Sequence, residues 1–381
     1  MRRLHQPSYR LKRRSRLTLL QHKYRRYGIV YSVVSEKLQG RLKDALLALK
    51  ILRLEKPELT WLSSEGDLTG VPTRWCFYAS YSPRSLITDM VIEQLRSYRE
   101  AGFQIAFITM SNRVTERDLA KLKPFCAVVI RRQSHGRDFG AWVHASALLR
   151  RQMETSTALL LTNDSMLGPI SPLDRWIESC LAREGVFGLT ESYGGGSHLQ
   201  SYFLLGNGTS EVSSMLAFLQ ALQLSFSKWI MIERGEIKFT QVMQRRGHYT
   251  AALIGYEAVE RALLENREYQ AELEAVAPHL FHAFKSPNNM MFYSNLPEEE
   301  KHNAAVYNKY LLRSRLYLYP FNPTHHFNAV LLKHFEFPFI KAELIMKNPG
   351  MLPSVPDWPE FVTDESPVSV QMIEEHLATL E

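Results

Sequence analysis

The chain has 381 residues, of which 45% are hydrophobic and 11% aromatic, so wholesale disorder is excluded and about two domains are expected. Its formal charge of +7 is concentrated in an N-terminal arm, Met1 to Tyr27, which holds ten Lys or Arg and no acidic residue. The rest of the chain carries 36 basic and 39 acidic residues and has no basic stripe, so no nucleic-acid partner is expected. We expect the arm to bind an anionic membrane surface; a solvated tail is the alternative.

The three cysteines, Cys76, Cys126 and Cys180, lie in apolar runs and form no C-x-x-C pair. This pattern predicts buried thiols in a reducing compartment. No apolar run approaches the roughly 20 residues needed to cross a bilayer, and no secretory h-region follows the early arginines. The expectation is a cytoplasmic protein that lies on the inner face of the cell membrane.

A helical pattern follows the arm, from Ile29 to Leu54, with apolar residues near the 3.6-residue period. It predicts a helix that packs on the main domain, or else an amphipathic surface helix. The polar stretch SSEGDLTGVPT then ends this region. We divide the chain into an arm and helix (1–60), a central domain (70–256) and a helical C-terminal subdomain with a tail (257–381).

Strands alternate with helices between Arg74 and Tyr256. The predicted strands are RWCFYAS, FQIAFITM, CAVVIRR, TALLLTND, GVFGLTES and LQSYFLLG. The predicted helices are Arg84 to Ala101, Val114 to Leu122, DFGAWVHASALLRRQ and PLDRWIESCLARE. This alternation is typical of an α/β fold with a mostly parallel sheet covered by helices, whose ligands bind beyond the carboxyl ends of the strands. In the C-terminal subdomain one long helix is predicted from Glu257 to Val276, and the Pro-rich, acidic end from Pro349 is expected to be a loosely held tail.

Several common catalytic motifs are absent from the sequence: the G-x-x-x-x-G-K-[ST] phosphate loop, G-x-G-x-x-G after the first strand, G-x-S-x-G and H-E-x-x-H. Their absence disfavours an ATPase, a nicotinamide enzyme, an α/β-hydrolase or a zinc protease.

Two clusters combine charge with turn residues at predicted strand ends. In RRQSHGRDFGAW, arginines could bind phosphate, Gly136 would admit a close ligand, and Asp138 would accept hydrogen bonds or simply cap the next helix. In LLLTNDSMLGPI a strand ends on Asp164, which could hold Mg²⁺ or Mn²⁺ with oxygens of Asn163 and Ser165, or could simply form the turn. The donor-binding candidates are Arg131, Arg132, Gly136, Arg137, Asp138, Asn163, Asp164 and Ser165, with Asp164 as the metal candidate.

A third cluster runs from LTESYGGGSHLQSYF to ERGEIKFTQVMQRRG. Its triple glycine indicates a mobile loop. Its acids and its histidine are candidate bases, although each residue alone is more often structural. These catalytic candidates are Glu236, Glu233, Glu191 and His198.

With these pieces together the chain resembles the rhamnan synthesis protein F family of bacterial glycosyltransferases. The resemblance rests on HGRDFGAW, LLLTNDSMLGPI, VFGLTES, SHLQSYFLL, GEIKFTQVMQRRG and NPTHHFN…FPFIKAELIMKNP, in the family's order, over roughly Trp75 to Pro349. It implies that residues 70–256 form a nucleotide-sugar-binding domain with a GT-A-like, Rossmann-related fold, which transfers a sugar onto a cell-surface polysaccharide. The donor it implies is dTDP-L-rhamnose, and the expected acceptor is a lipid-linked glycan.

The resemblance also implies roles for individual residues. Asn163-Asp164-Ser165 stands where such transferases carry the D-x-D metal motif, so either a cation on Asp164 or the arginines would neutralise the leaving diphosphate. The base of an inverting transfer would be Glu236, with Glu233 as second choice. Two other interpretations stay open: a different Rossmann-related nucleotidyl or phosphoryl transferase, and a non-catalytic nucleotide- or carbohydrate-binding scaffold in a polysaccharide assembly complex.

Overall fold

A computed structural model describes residues 19–62, 74–277, 310, 312–316, 321–349 and 351–380, without the side chains of 19–31 and 276. The charged side chains of the basic arm and the polar stretch 63–73 lie outside the described residues. The first elements are α1 (Leu19–Ala48), β1 (Glu58–Trp61), β2 (Arg74–Ser80), α2 (Asp89–Glu100), β3 (Gln104–Thr109), α3 (Glu116–Leu122), β4 (Cys126–Arg131), α4 (Arg137–Leu148), β5 (Ala158–Asn163), β6 (Met166–Leu167) and α5 (Asp174–Leu181).

The chain continues with a second group of strands and then becomes mainly helical. The elements are β7 (Gly185–Ser192), β8 (His198–Leu199), β9 (Phe203–Asn207), α6 (Thr209–Ala221), α7 (Lys228–Met231), a π-helical turn (Ile232–Ile237), α8 (Lys238–Arg245), β10 (Thr250–Ile254), α9 (Tyr256–Glu265), α10 (Arg267–Val276), α11 (Pro323–His326), α12 (Asn328–Phe335), β11 (Ile340–Lys341), α13 (Ala342–Lys347), a 3₁₀ helix (Val355–Phe361) and α14 (Val370–Leu380).

The fold is α/β, as predicted, with a mostly parallel mixed sheet in the order β1-β4-β3-β2-β5-β9-β7-β10, and β8 paired to β7. Strands β2 to β5 are parallel to one another, as are β7 and β10. Strand β9 runs antiparallel between β5 and β7, and β1 is antiparallel to β4. A separate two-stranded sheet pairs β6 with β11.

The sheet divides two apolar cores, and this explains why its central strands are continuous apolar runs. Along β2, Cys76 and Tyr78 contribute to one core, and Trp75 and Phe77 to the other. The first core also contains buried residues of α9, α12 and α14, so the C-terminal elements share it with the sheet. The three cysteines are free and buried, which confirms the sequence prediction.

Two predictions for the C-terminal region are wrong. The long helix divides at Asn266, whose side chain accepts a hydrogen bond from Glu268 N (2.8 Å) and caps a second helix, α10. The tail is not loosely held, because α14 buries Ile373 and Leu377 completely. These residues are four apart on one helix face, a period that the acidic, Pro-rich composition obscured.

Helix α1 begins ten residues before the predicted Ile29 and contacts the 225–233 segment. It does so through polar residues, whereas Leu38, Leu42 and Leu49 are exposed. The prediction that this helix packs on the main domain is therefore confirmed, although the contacts are polar and these three leucines face away from it. Among the described residues no helix is both long and apolar enough to span a membrane.

Candidate functional site at the carboxyl ends of β2 and β5

The sheet reverses its direction of growth between β2 and β5. From β2 the chain adds β3 and β4 on one side, and then places β5 on the other. The carboxyl ends of β2 and β5 are adjacent, with Ala79 paired to Asn163. In open α/β sheets such a point leaves a crevice between the two strand ends, and ligands bind there. The segments after Ser80 and Asn163 therefore form the first candidate site.

Asp164 joins the two strand ends. Its Oδ2 accepts hydrogen bonds from Ser80 Oγ (2.7 Å) and from Tyr81 N (2.8 Å), and its own amide donates to Ala79 O (3.2 Å). Burial of the carboxyl group raises the pKa of Asp164 to about 7, and nearby Asp138 adds to this rise, while the two hydrogen bonds oppose it. Asp164 is thus placed to exchange a proton near neutral pH.

The neighbours of Asp164 form a chain of hydrogen bonds that leads to a lysine. Asn163 Nδ2 donates to Asp138 Oδ2 (2.9 Å), and Asn163 Oδ1 accepts from Ser165 Oγ (2.6 Å) and from Ser165 N (3.1 Å). Ser165 Oγ in turn accepts from Lys341 Nζ (2.7 Å). The side chains of Asn163 and Ser165 are therefore bonded within the protein and do not fit the role of oxygen ligands to a cation.

Lys341 is the functional candidate that sequence reasoning missed. It lies on β11, which pairs with β6, and β6 directly follows Ser165 in the chain. This pairing places Lys341 next to the end of β5. Burial lowers the pKa of Lys341, whereas Glu236 and Asp138 nearby raise it. The motif FPFIK contained the signal, a single basic residue at the end of an apolar run, but nothing in the sequence indicated its partner.

Asp138 reaches the site because of the turn before α4. Gly136 adopts a left-handed conformation (φ 78°), and Gly140 passes so close to His135 that a Cβ would stand 2.0 Å from the His135 carbonyl oxygen. The carboxylate of Asp138 does not cap the helix; it accepts from Asn163 instead. Burial raises the pKa of Asp138, while Lys341 and Arg137 lower it.

The three arginine candidates occupy different positions. Arg131 forms ion pairs with Glu58 and Glu55 beside β1. Arg132 is buried, and its guanidinium donates to His144 Nδ1 (3.0 Å) and to carbonyl groups of the 135–137 turn. Arg137 is exposed next to Asp138 and lowers its pKa. The structure therefore brings the exposed Arg137 to the site, whereas Arg131 holds the chain beside β1. Arg132 also lowers the pKa of Asp138, but its described hydrogen bonds go to the surrounding turn and to His144.

Glu236 approaches the same cluster from the π-helical turn. Its Oε1 accepts from Ser201 N (3.1 Å) and lies 3.9 Å from His198 Nε2. It also lies close enough to Lys341 and Asp138 to raise the pKa of both. π-Helical turns are frequent at functional sites. Glu236 therefore belongs to the same cluster as Lys341 and Asp138.

The other base candidates have structural partners. Glu233 is exposed and paired with Lys37 of α1. Glu191 Oε1 accepts from Tyr256 N (2.8 Å) and stabilises the start of α9. His198 is buried, with Nδ1 2.7 Å from Gly196 O and Nε2 towards Glu236. Of the four candidates, the structure places Glu236 and His198 together at the cluster.

Among the described residues no group of three or more His, Cys, Asp and Glu side chains has the arrangement of a metal site. The described hydrogen bonds to the Asp164 carboxylate both go to Oδ2. A cation at this point would therefore be held by Asp164 Oδ1 and by ligand oxygens, with Asn163 and Ser165 already engaged elsewhere.

Comparison with known proteins finds a relative but no defined family. The chain is 29% identical over 188 residues to the uncharacterized protein y4gN of Sinorhizobium fredii (strain NBRC 101917 / NGR234). The match covers 48% of this chain and 49% of that protein, so the chain spans about half the length of the curated relative it matches. No family model matches the sequence. No solved structure matches it either.

Proposed function

We propose that the protein is a glycosyltransferase with a GT-A-like fold that uses a nucleoside-diphosphate sugar. The observation that carries the proposal is the position of Asp164, Asp138 and Lys341 at the point where the sheet reverses its growth, with Glu236 close to Lys341 and Asp138. A diphosphate needs positive charge and hydrogen-bond donors at such a crevice, and an attacking hydroxyl needs a base that takes its proton.

The leaving diphosphate would be neutralised by Lys341 and the exposed Arg137. Lys341 stands beside Ser165, in the part of the site where the resemblance predicted a cation, and neighbouring carboxylates raise its pKa against the lowering effect of burial. Ammonium and guanidinium groups placed in advance stabilise charge that develops in the transition state. Tyr81, whose ring is exposed at the end of β2, offers a surface on which a nucleobase could stack.

Glu236 would act as the base. As the acceptor hydroxyl attacks the anomeric carbon, a bond forms between its oxygen and that carbon, and the bond from the carbon to the phosphate oxygen breaks with its electron pair. The hydroxyl proton passes to Glu236, and the negative charge on the diphosphate is met by Lys341. A single displacement of this kind inverts the anomeric carbon, because the base and the leaving group lie on opposite sides of the sugar.

The donor we propose is dTDP-L-rhamnose and the acceptor a growing, lipid-linked cell-surface polysaccharide, on the strength of the resemblance described above. The corresponding location is the inner face of the cell membrane. A non-catalytic binding scaffold is the second candidate. The observation that favours it is the engagement of Asn163 and Ser165 in internal hydrogen bonds where D-x-D transferases present a second carboxylate.

The first test is thermal unfolding of the full chain with dTDP, UDP and GDP and with their sugars, with and without Mg²⁺ or Mn²⁺, followed by a transfer assay. A ligand at 100 times its Kd adds about 2.7 kcal/mol to the free energy of unfolding. We expect a selective response to dTDP or dTDP-rhamnose and transfer of the sugar. Selective binding without transfer or donor hydrolysis would support a nucleotide-binding scaffold. No response by folded protein would contradict the glycosyltransferase and leave the carbohydrate-binding scaffold.

A further inference from the structure

Helix α1 is fixed to the rest of the protein by its polar face. Glu36 accepts from Ser227 Oγ (2.6 Å) and from Lys228 N (2.6 Å). Two turns later Asp44 accepts from Ser225 Oγ (2.5 Å) and from Phe226 N (2.9 Å). These acids satisfy backbone donors of the segment that leads into the π-helical turn, so α1 is part of the folded body.

Gly40 determines how closely α1 lies on the 225–233 segment. A Cβ at Gly40 would stand 2.5 Å from Ser227 Cβ, so the backbone of α1 rests directly on the segment. This contact orients the helix, because a residue with any side chain at position 40 would force it away. Residues half a turn from Gly40 must therefore face away from the protein.

The outward face of α1 is apolar. Val34 is 50% exposed, Leu38 61% and Leu42 63%, and the spacing of these residues places them on one side of the helix. Leu49, which is 70% exposed, directly follows the last residue of α1, and its amide still donates to Ala45 O (2.9 Å) as in the helix. Between Val34 and Leu49 this apolar stripe is about 22 Å long at 1.5 Å per residue. A continuous apolar strip opposite a polar contact face is the reverse of what a core-facing helix shows.

The charge around the stripe is uniformly positive towards the N-terminus. No Asp or Glu precedes Glu36, and ten Lys or Arg lie between Met1 and Tyr27, three of them within the early turns of α1. Arg41 is exposed within the stripe's span. An apolar helix face beside a run of cations is the pattern of helices that lie in the surface of an anionic bilayer.

A second copy of the chain fits this face less well. The stripe is one helix face of about 22 Å by 10 Å, or roughly 200 Å² on each copy, against about 800 Å² per partner in a stable dimer. If two copies paired through this face in either direction, their basic segments would lie near each other, or the positive charge of these segments would have no acidic partner. Lipid headgroups supply both the apolar boundary and the negative charge.

We propose that α1 lies in the surface of an anionic membrane, with Val34, Leu38, Leu42 and Leu49 inserted below the headgroups. This assignment does not depend on whether the chain transfers sugar. Because Glu36 and Asp44 hold α1 to the 225–233 segment, the lipid-bound helix also keeps the neighbouring π-helical turn, and hence Glu236, on the membrane side of the protein.

The test is sedimentation of the full chain with vesicles of phosphatidylcholine alone or with about 30% phosphatidylglycerol, at about 0.1 M and about 0.5 M salt. The variant is Leu38→Ser/Leu42→Ser, and the matched control is Leu86→Ser/Leu148→Ser, two exposed leucines away from α1. We expect the first pair to lower partitioning roughly tenfold at both salt concentrations, and the control pair to leave it unchanged. Thermal unfolding should be the same for all, since the replaced side chains are exposed.

If Leu38→Ser/Leu42→Ser bound vesicles as strongly as the wild type, the proposal would be overturned and any binding would be assigned to the basic arm alone. A wild-type dimer in sedimentation velocity that the variant converts to monomer, without vesicle binding by either, would overturn it in favour of a second copy. An independent readout is a polarity-sensitive dye on Leu38→Cys, because the three native cysteines are buried. Its emission should shift to the blue with anionic vesicles, and the emission of dye on Leu86→Cys should not.

Discussion

The strand-end site and helix α1 depart from the usual distribution of polar and apolar side chains in opposite directions. Around Asp164 and Lys341 charged groups are partly withdrawn from water, with shifted pKa values. Along α1, Leu38 and Leu42 are left in water while Glu36 and Asp44 make the contacts with the protein. Burying charge and exposing leucine both cost free energy. Each departure therefore indicates a surface built for something other than folding.

The largest effect is expected from removing the buried cation. Lys341→Met should reduce sugar transfer about 10³-fold, because the ammonium group would no longer meet the charge on the leaving diphosphate. It should also lower stability at neutral pH, because the carboxylates of Asp138 and Glu236 would lose the positive charge that lies near both of them. Rates from purified full-length chain, together with its melting temperature, give both results.

Two further variants separate chemistry from folding at this position. Ser165→Ala removes the hydrogen bond to Lys341 and keeps the charge, so transfer should fall by less than about tenfold. Lys341→Arg keeps a cation but moves its donor atoms, and should fold as wild type with a clear loss of rate. If Lys341→Arg were folded and fully active, the ammonium position would be structural and the comparison above would fail.

A smaller effect is expected from replacing the proposed base, Glu236. Glu236→Gln keeps the shape of the side chain and its contact with Ser201 but cannot take a proton, so the rate should fall about 10²-fold or more. Glu233→Gln is the matched control, three residues away on the same π-helical turn and paired with Lys37 at the surface. Transfer rates of the two purified variants, measured together with their melting temperatures, test this difference.

Equal losses in Glu236→Gln and Glu233→Gln would point to a disturbed π-helical turn instead of a missing base. A larger loss in Glu233→Gln would restore the second choice made from the sequence. Either outcome would be read against the melting temperatures, which should match the wild type because neither substitution changes side-chain volume.

The sequence predicted best what depends on local pattern. Strands β2 and β7 occupy the segments predicted for them, because buried parallel strands are continuous apolar runs with clear ends. The position of Asp164 at a strand end followed from the same pattern. The break at Asn266 was missed because a single capping residue ends one helix and begins the next without interrupting the helical pattern of the sequence.

The partners of the site could not be predicted, since they depend on contacts between distant segments. Lys341 is 176 residues from Ser165 and reaches it through pairing of two very short strands. Likewise, an apolar helix stripe has the same period whether it faces a core or the outside. For α1, the packing of Gly40 on Ser227 shows that the apolar stripe faces the outside and not a core.

The smallest effect is expected from Asp164→Asn and concerns stability against pH. Burial raises the pKa of Asp164 to about 7, whereas a carboxyl group in an unfolded chain titrates near 4. Between about pH 4 and pH 7 the folded protein holds a proton that the unfolded chain has lost, so stability falls as pH rises through this window. Asparagine stays neutral, and the variant should be about 1–2 kcal/mol more stable than wild type at pH 8 and equal at pH 4.

Urea unfolding at several pH values gives this difference, and Asp89→Asn, at an exposed ion pair with Lys121, controls for a general change of charge. A difference that does not vary with pH would mean that Asp164 is ionised throughout the folded range. Repeating the series with ligands separates its two roles. Mg²⁺ on the carboxylate must displace the proton and so lower the apparent pKa. A nucleoside diphosphate that accepts a hydrogen bond from the protonated group must raise it, because it binds the protonated state more tightly.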